Sequence, residues 1–299
     1  MINILGFYCF YLWRVLYNVH MTDEHKYSFP SHLTEPIRIQ IATDYLKQDA
    51  RKMFPALRGK STWEVIDNDI NKWFDQSSTV IGVRDFWNRF DGIAMGGKLK
   101  VGLLQVVTAE NIHWELVENL SLDDQLASGG GYSYIDPSLN RRRLRASELK
   151  KFSEEPQHKL IVDQWRKIFV DQANLTESRD EFAIIAVEEA EDSEVILSIH
   201  DGNRRMAQSV FNGQTSIRAY VGRYTTNEKK PKNFWLPTSF LMEMVKEAEL
   251  LGTETAYQHS LGLLQEYQSL SESGRHELFE RVLIGNHPVR ERLKNDLLK

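Results

Sequence analysis

The segment from Val195 to Tyr224, VILSIHDGNRRMAQSVFNGQTSIRAYVGRY, constrains the fold more than any other part of the chain. Its first residues are mostly β-branched or apolar and end at Asp201-Gly202, which is typical of a buried strand that stops at a tight turn. Apolar residues then recur at helical spacing as far as Gly213, which predicts a short helix with a left-handed C-terminal cap. A second extended run follows at 217–221. The sequence therefore predicts a strand, a glycine turn, a helix, a second glycine turn and a strand.

The first of these turns has the chemistry of an anion site. A helix N-terminus presents unpaired backbone N–H groups and the positive end of the helix dipole, and Gly202 lacks the Cβ that would keep a ligand from the backbone. Arg204 and Arg205 can make bidentate bonds to phosphate oxygens, while Asn203 can cap the helix or donate from its amide. Four Arg and one Asp between residues 201 and 224 give a local charge of +3 in a chain of net charge −5. The alternative is a solvated helix start with two surface arginines.

The run DGNRRMAQSVFNGQTSIRAYV resembles the ParB/sulfiredoxin-like nucleotide-binding module, whose ParB members carry Gly-Glu-Arg-Arg, alanines, a glycine and an Ile-Pro-x-x-Val strand. The matching positions are Gly202, Arg204, Arg205, Ala207, Gly213, Ile217 and Val221. The resemblance implies an α+β fold with a small mixed sheet, flanked by N- and C-terminal helical regions. It also implies that Gly202, Asn203, Arg204 and Arg205 hold the phosphates of a nucleoside triphosphate, ATP in sulfiredoxins or CTP in ParB, together with Mg²⁺.

Two positions depart from the family pattern. Asn203 stands where sulfiredoxins have their reactive cysteine, so redox repair chemistry is not expected. The same position is Glu in ParB, and Arg218 replaces the proline that follows the isoleucine of the ParB strand. Because other relatives are nucleases or kinases, the activity stays open between an NTPase, a phosphate-transferring or ParB-like nuclease enzyme that acts on or with DNA, and a switch driven by a nucleotide.

Candidate catalytic residues come from the same turn, since the sequence has no Ser-His-Asp motif, P-loop lysine or H-E-x-x-H motif. His200 is the candidate for acid–base chemistry, with a structural histidine as the alternative. Asp201, its neighbour, is the second candidate. If the protein is a nuclease, loss of either side chain should abolish its activity.

Acidic residues cluster in a predicted hairpin loop just before this segment. They are Glu188, Glu189, Glu191, Asp192 and Glu194. Paired carboxylates can bind a divalent metal, but five acids at a hairpin tip are also typical of a solvated surface. We predict no metal site here.

A second cationic run, NRRRLRASELKK at 140–151, has six basic residues and one acidic residue. ParB-like proteins carry an Asn/Pro-x-Arg segment before a helix at the corresponding place. The resemblance implies that Arg141, Arg142 and Arg143 contribute to the nucleotide pocket. The alternatives are a solvated loop that pairs with acids elsewhere, and contacts to nucleic-acid phosphates.

Composition suits a globular protein with one large or two modest domains: 299 residues, 41% hydrophobic and 26% charged. The weakly acidic total excludes a protein that coats nucleic acid through bulk charge. The lone cysteine, Cys9, excludes a disulfide framework or a Cys-based zinc site and fits a reducing cytoplasm. We predict a helical region at 21–95, the nucleotide-binding core at 96–226 and a C-terminal helical region at 233–299.

Residues 1–20 are apolar and aromatic but are interrupted by Arg14, which leaves too short a run for a membrane span of about 20 residues. The alternatives are a mis-assigned translation start, a packed N-terminal element and a membrane-interface anchor. No stable membrane span is expected. The expected partner is a nucleotide, with DNA and a second copy of the chain as further candidates.

The remaining patterns predict individual elements. Strands are predicted at 99–107 and 182–188, and helices at 115–122, from 147 onward and at 160–170. The C-terminal region is predicted to hold helices at 239–251, 256–270, 274–283 and 289–298. We interpret it as an accessory bundle rather than a DNA-binding helix-turn-helix, because its candidate recognition helix has no Lys or Arg.

Overall fold

The fold is mixed α+β, as predicted, and a five-stranded sheet forms its centre. The computed structural model describes residues 30–53, 68, 86–87, 98–123, 125–128, 143–173, 182–191, 194–270 and 278–299. Residues 1–20, whose role the sequence left open, lie outside the described residues, as do Arg141 and Arg142. Among the described helices, none combines the length and the apolar character needed to cross a membrane.

The sheet mixes parallel and antiparallel pairs. Its strands are β1 (Ile112–Ser121), β2 (Leu126–Ser128), β3 (Ile184–Glu191), β4 (Glu194–Asp201) and β5 (Ser216–Tyr224), in the order β1-β5-β3-β4-β2. The pairs β1/β5 and β3/β4 are antiparallel, whereas β3/β5 and β2/β4 are parallel. The chain that leaves β4 therefore crosses over through a helix and inserts β5 between β1 and β3.

Helices cover both faces of this sheet. They are α1 (Pro36–Met53), α2 (Lys98–Thr108), α3 (Ala146–Glu154), α4 (Lys159–Ala173), α5 (Asn203–Phe211), α6 (Thr238–Leu251), α7 (Glu254–Leu270) and α8 (Pro288–Leu297). Short 3-10 turns lie at Ser31–Thr34 and Pro156–His158, and a π-helical turn lies at Leu278–Val282. The helices expected from 147 onward and at 160–170, 239–251, 256–270 and 289–298 are confirmed. The helix expected at 274–283 is described only from 278, where it is the π-helical turn.

Alternate residues of β3 show how the sheet separates two apolar layers. Ile185 and Val187 pack with α1, α2 and the C-terminal helices, whereas Ile184 and Ala186 pack with α3, α4 and α5. This is the period of two that a strand buried on both faces requires. The N-terminal helix, the sheet and the C-terminal helices therefore share one continuous core.

The strand predicted at 99–107 is wrong, because this segment is the helix α2. Its branched residues suggested a strand, yet the buried Leu103, Leu104 and Val107 recur at helical spacing. Periodicity alone cannot separate a short buried strand from a buried helix. Packing against α1 decides in favour of the helix.

The helix predicted at 115–122 is also wrong, because this segment belongs to β1. Glu115 forms an ion pair with Arg223 across the β1/β5 pair, and Glu118 does so with Arg218 at 2.9 Å. Such cross-strand pairs stabilise a sheet. Because the partners lie about a hundred residues further along the chain, the local sequence of β1 carries no sign of them.

Arg38 on α1 joins the N-terminal helices to the sheet. Its side chain is 1% exposed and donates to the backbone oxygens of Val107, at the end of α2, and Ile112, at the start of β1, at 2.5 and 2.6 Å. It also pairs with Glu35 at 2.9 Å. Burial lowers the pKa of Arg38 and the charge of Glu35 opposes that shift. One guanidinium thus supplies donors to a carbonyl group of α2 and to a carbonyl group of β1.

We expect Arg38→Leu to lower the free energy of unfolding by about 3 kcal/mol, because two buried carbonyl oxygens lose their donor. Urea denaturation monitored by circular dichroism measures this change. Lys47→Leu on the same helix is the matched control and should change stability by less than about 0.5 kcal/mol. An equal effect of the two substitutions would contradict the structural role of Arg38.

Candidate functional site

The turn between β4 and α5 has the geometry that the sequence predicts. Gly202 is the N-cap of α5 with φ +103°, a left-handed conformation. At the other end, Gly213 has φ +73°, and the backbone N–H groups of Gly213 and Gln214 donate to the oxygens of Val210 and Ser209. This is a Schellman motif. The predicted unit of strand, turn, helix, turn and strand is confirmed.

The packing around Gly202 gives a structural reason for the glycine. A Cβ on Gly202 would lie 2.5 Å from Cγ2 of Ile184 and 2.9 Å from Nη2 of Arg205. The missing Cβ makes room for close packing of the turn on β3. Asn203 is the first residue of α5 rather than its cap.

Arg205 is built into the fold. Its side chain is 12% exposed; Nη1 donates to the backbone oxygens of Phe182 and Ala183 at 2.6 and 3.0 Å, and Nη2 donates to Asp201 at 2.8 Å. Burial lowers the pKa of Arg205, and the charges of Asp201 and Asp44 oppose that shift. Arg205 therefore holds the turn against β3 instead of presenting its guanidinium to phosphate. Asp201 is engaged with it, which leaves this carboxylate poorly placed as a catalytic base.

Arg204, in contrast, is exposed at the first turn of α5. The two arginines of the Gly-Asn-Arg-Arg sequence thus have different environments, which the sequence alone could not distinguish. Helical geometry explains the difference, because neighbouring residues on a helix point about 100° apart. One arginine faces the sheet and the other faces solvent.

Ion pairs neutralise most of the local positive charge. Arg218 pairs with Glu118 on β1, and Arg223 pairs with Glu115 and Glu188. The excess of arginine between residues 201 and 224 therefore does not form a continuous positively charged surface. Carboxylates brought in by β1 and β3 balance it.

The structure connects Arg143 to the turn through a residue that the sequence analysis did not select. Arg143 donates from Nη2 to Glu189 on β3 at 2.7 Å and lies 3.6 Å from Glu191. The other carboxylate oxygen of Glu189 is 3.3 Å from Nε2 of His200. Arg143, Glu189 and His200 therefore form a continuous chain of polar contacts that ends two residues before Gly202. The acidic cluster in the sequence was the signal for Glu189, but which of its members would face His200 depends on strand register.

His200 lies on a β-bulge. Ile199 pairs with Ala186 and Asp201 pairs with Ile185, so His200 has no partner residue across the β3/β4 ladder. A bulge bends its strand and re-aims a side chain, and bulges are frequent beside active sites. The side chain of His200 remains 20% exposed, so a solute can reach it.

Glu189 is half-buried but ionised. Burial raises its pKa, but the hydrogen bond from His200 and the charge of Arg143 outweigh burial and hold the pKa below the ordinary value. An ionised carboxylate beside an imidazole fixes the orientation of the ring. Within the described part of the chain, no cluster of three or more His, Cys, Asp or Glu side chains could hold a metal ion.

No family model, curated protein or solved structure matches this chain. The site is therefore interpreted from its own geometry.

The two arginines of the turn should respond differently to truncation. We expect Arg205→Ala to lower the free energy of unfolding by about 3 kcal/mol, because it leaves Asp201 without its partner in a partly buried site. Arg204→Ala, the matched control, should change it by less than about 0.5 kcal/mol. Denaturant titration of both variants measures the difference. Similar values for both would show that Arg205 does not hold the turn.

The charged state of Glu189 should make stability depend on pH. The folded-state pKa of Glu189 is below the ordinary value of 4.5, so its contribution is complete above pH 4.5 and is lost as the pH falls through the folded value. The difference in unfolding free energy between wild type and Glu189→Gln should therefore shrink as the pH falls below 4.5. Glu194→Gln, which removes an exposed carboxylate of the same hairpin paired with Arg145, should differ little from wild type at any pH. A difference in unfolding free energy between wild type and Glu189→Gln that stays constant from pH 7 to pH 3 would contradict the ionised state assigned to Glu189.

Proposed function

We propose that this chain is a nucleotide-binding protein of the ParB-like type and that it holds the phosphates of a nucleoside triphosphate at the N-terminus of α5. The observation that carries the proposal is the left-handed Gly202 turn at the carboxyl end of β4, which starts a helix with an exposed Arg204 and no acidic residue in its first turn. Phosphate is favoured there by the helix dipole and by backbone N–H groups that point out of the helix end.

The surroundings support a preformed site. Arg205 fixes the turn to the backbone before β3, and the Schellman motif at Gly213 fixes the other end of α5. A loop held in this way loses little conformational entropy when a ligand binds. Arg204 then supplies a planar guanidinium with several donors, which matches the oxygens of a phosphate group.

The expected ligand is ATP or CTP together with Mg²⁺, and the expected location is the cytoplasm. The alternative is a non-catalytic DNA-binding or assembly protein that uses its arginines on backbone phosphates. The ion pairs of Arg143, Arg218 and Arg223 with carboxylates weigh against that alternative, because DNA would have to displace acids from each of them.

Calorimetric titration with ATP, CTP and GTP in the presence of Mg²⁺ tests the proposal. Wild type should bind at least one of the three, and Arg204→Ala should weaken that binding about tenfold to a hundredfold, the cost of one charge-assisted hydrogen bond. Arg204 suits this test better than Arg205 because Arg204 is exposed, whereas Arg205 holds the turn to the backbone before β3.

Lys246→Ala, which removes an exposed positive charge from α6, is the control and should bind as wild type does. Absence of binding to wild type, or equal affinities of wild type and Arg204→Ala, would refute the proposal. Affinity for duplex DNA that falls steeply with salt, without nucleotide binding, would instead support the DNA-binding alternative.

A further inference from the structure

The end of α2 is bonded to the N-terminal region through two neighbouring carbonyl groups. The backbone oxygen of Val107 accepts from Arg38 at 2.5 Å, and that of Thr108 lies 2.8 Å from Nε2 of His32. A carbonyl oxygen only accepts hydrogen bonds, so Nε2 of His32 carries the proton. Because consecutive carbonyl groups of a helix lie close together, the imidazole of His32 and the guanidinium of Arg38 are held near one another.

Thr108 extends this joint to the C-terminal region. Its side chain is fully buried, and Oγ1 lies 2.7 Å from the backbone oxygen of Trp235 and accepts from the backbone N–H of Trp235 at 3.1 Å. On the other side, Leu33 is also fully buried, and its backbone oxygen accepts from Nε1 of Trp87 at 3.2 Å. The half-buried His32 therefore lies in a packed joint between the 3-10 turn, α2 and the segment before α6.

This joint favours the neutral form of His32. Burial lowers the pKa of the imidazole, against the hydrogen bond to Thr108, and the positive charge of Arg38 lowers it further. Within the described part of the chain, the charged side chains that face His32 are Arg38 and Glu35 on α1 and Glu110 after α2, and the two acids raise the pKa. Arg38 is 1% exposed, so solvent screens its charge poorly. A second positive charge beside it is therefore unfavourable.

We propose that His32 is an acid-sensitive contact: the neutral ring holds the 3-10 turn and α1 on the end of α2, and protonation loosens them. Either form of the ring can donate to Thr108, so the change comes from the second cation beside Arg38 and not from the loss of a donor. α1 also carries Asp44, which accepts from the hydroxyl of Tyr220 on β5 at 2.6 Å. Loosening α1 therefore weakens its contact with the sheet, and this property is independent of any ligand at the turn before α5.

The sign of the pH dependence follows from burial. The folded-state pKa of His32 is below the ordinary value of 6.5, so its contribution to stability is complete above pH 6.5. The contribution falls as the pH drops from 6.5 towards the folded value, where the ring gains its proton. Uptake of one proton changes an equilibrium by at most about tenfold per pH unit.

Amide hydrogen exchange at about pH 7.5 and about pH 5.5 tests the inference, with rates converted to protection factors so that the intrinsic pH dependence of exchange is removed. Wild type should lose protection in α1 at the lower pH, by up to about tenfold per pH unit, while α7 and α8 keep theirs. His32→Gln keeps a side-chain donor for Thr108 but cannot gain a charge. Protection of α1 in this variant should therefore not change with pH.

His259→Gln is the matched control, because it removes an exposed histidine from α7 and should reproduce the wild-type response of α1. Titration of the His32 imidazole in wild type, followed by NMR, is a second measurement that needs no variant to fold, and its midpoint should lie below pH 6.5. A midpoint at or above that value, or an equal loss of α1 protection in wild type and His32→Gln, would overturn the inference. A loss as large in α7 and α8 as in α1 would overturn it as well, because the proposed change is confined to the N-terminal region.

Discussion

The structure around the candidate site depends on one buried guanidinium. A charged side chain leaves water only where its N–H groups find acceptors, and otherwise its desolvation costs several kcal/mol. Arg205 finds them in the carboxylate of Asp201 and in the backbone oxygens of Phe182 and Ala183. The same contacts join the end of β4, the start of α5 and the backbone just before β3. An arginine that resembles a phosphate ligand in the sequence thus holds the turn against β3.

The polar contacts around Arg205 extend to the N-terminal helix α1. Asp44 on α1 accepts from the hydroxyl of Tyr220 on β5 at 2.6 Å and also lies close enough to Arg205 to oppose the lowering of its pKa. Burial, aided by Asp44, raises the pKa of Tyr220 and keeps its hydroxyl protonated as a donor. Polar groups on α1, β5 and α5 therefore share one electrostatic neighbourhood beneath the turn. The N-terminal helix is part of the environment of the site, not a separate cover.

The sequence patterns correctly predicted those elements whose structure depends only on neighbouring residues in the chain. The strand ending at Asp201, the glycine turn, α5 and its left-handed cap all follow from propensity and turn chemistry within residues 195–224. The fold class was predicted from the family resemblance that this segment carries. Elements defined by distant partners were not predictable in this way: β1 is a strand because β5 pairs with it, and α2 is a helix because its apolar face lies against α1. The same limit applies to the site, since neither the burial of Arg205 nor the contact of Glu189 with His200 can be read without the register of β3 and β4.

The order of the strands also has a consequence for how the chain assembles. β5 fills the gap between β1 and β3, and its pairing joins Ile112 to Tyr224. During synthesis β1 emerges long before its partner, and closing so large a loop is entropically unfavourable and slow. An unpaired strand at a sheet edge invites aggregation unless charged side chains discourage it. Glu115 and Glu118 carry such charges. We therefore expect the acids that pair with the arginines of β5 in the folded sheet also to discourage aggregation of β1 before β5 has been synthesised.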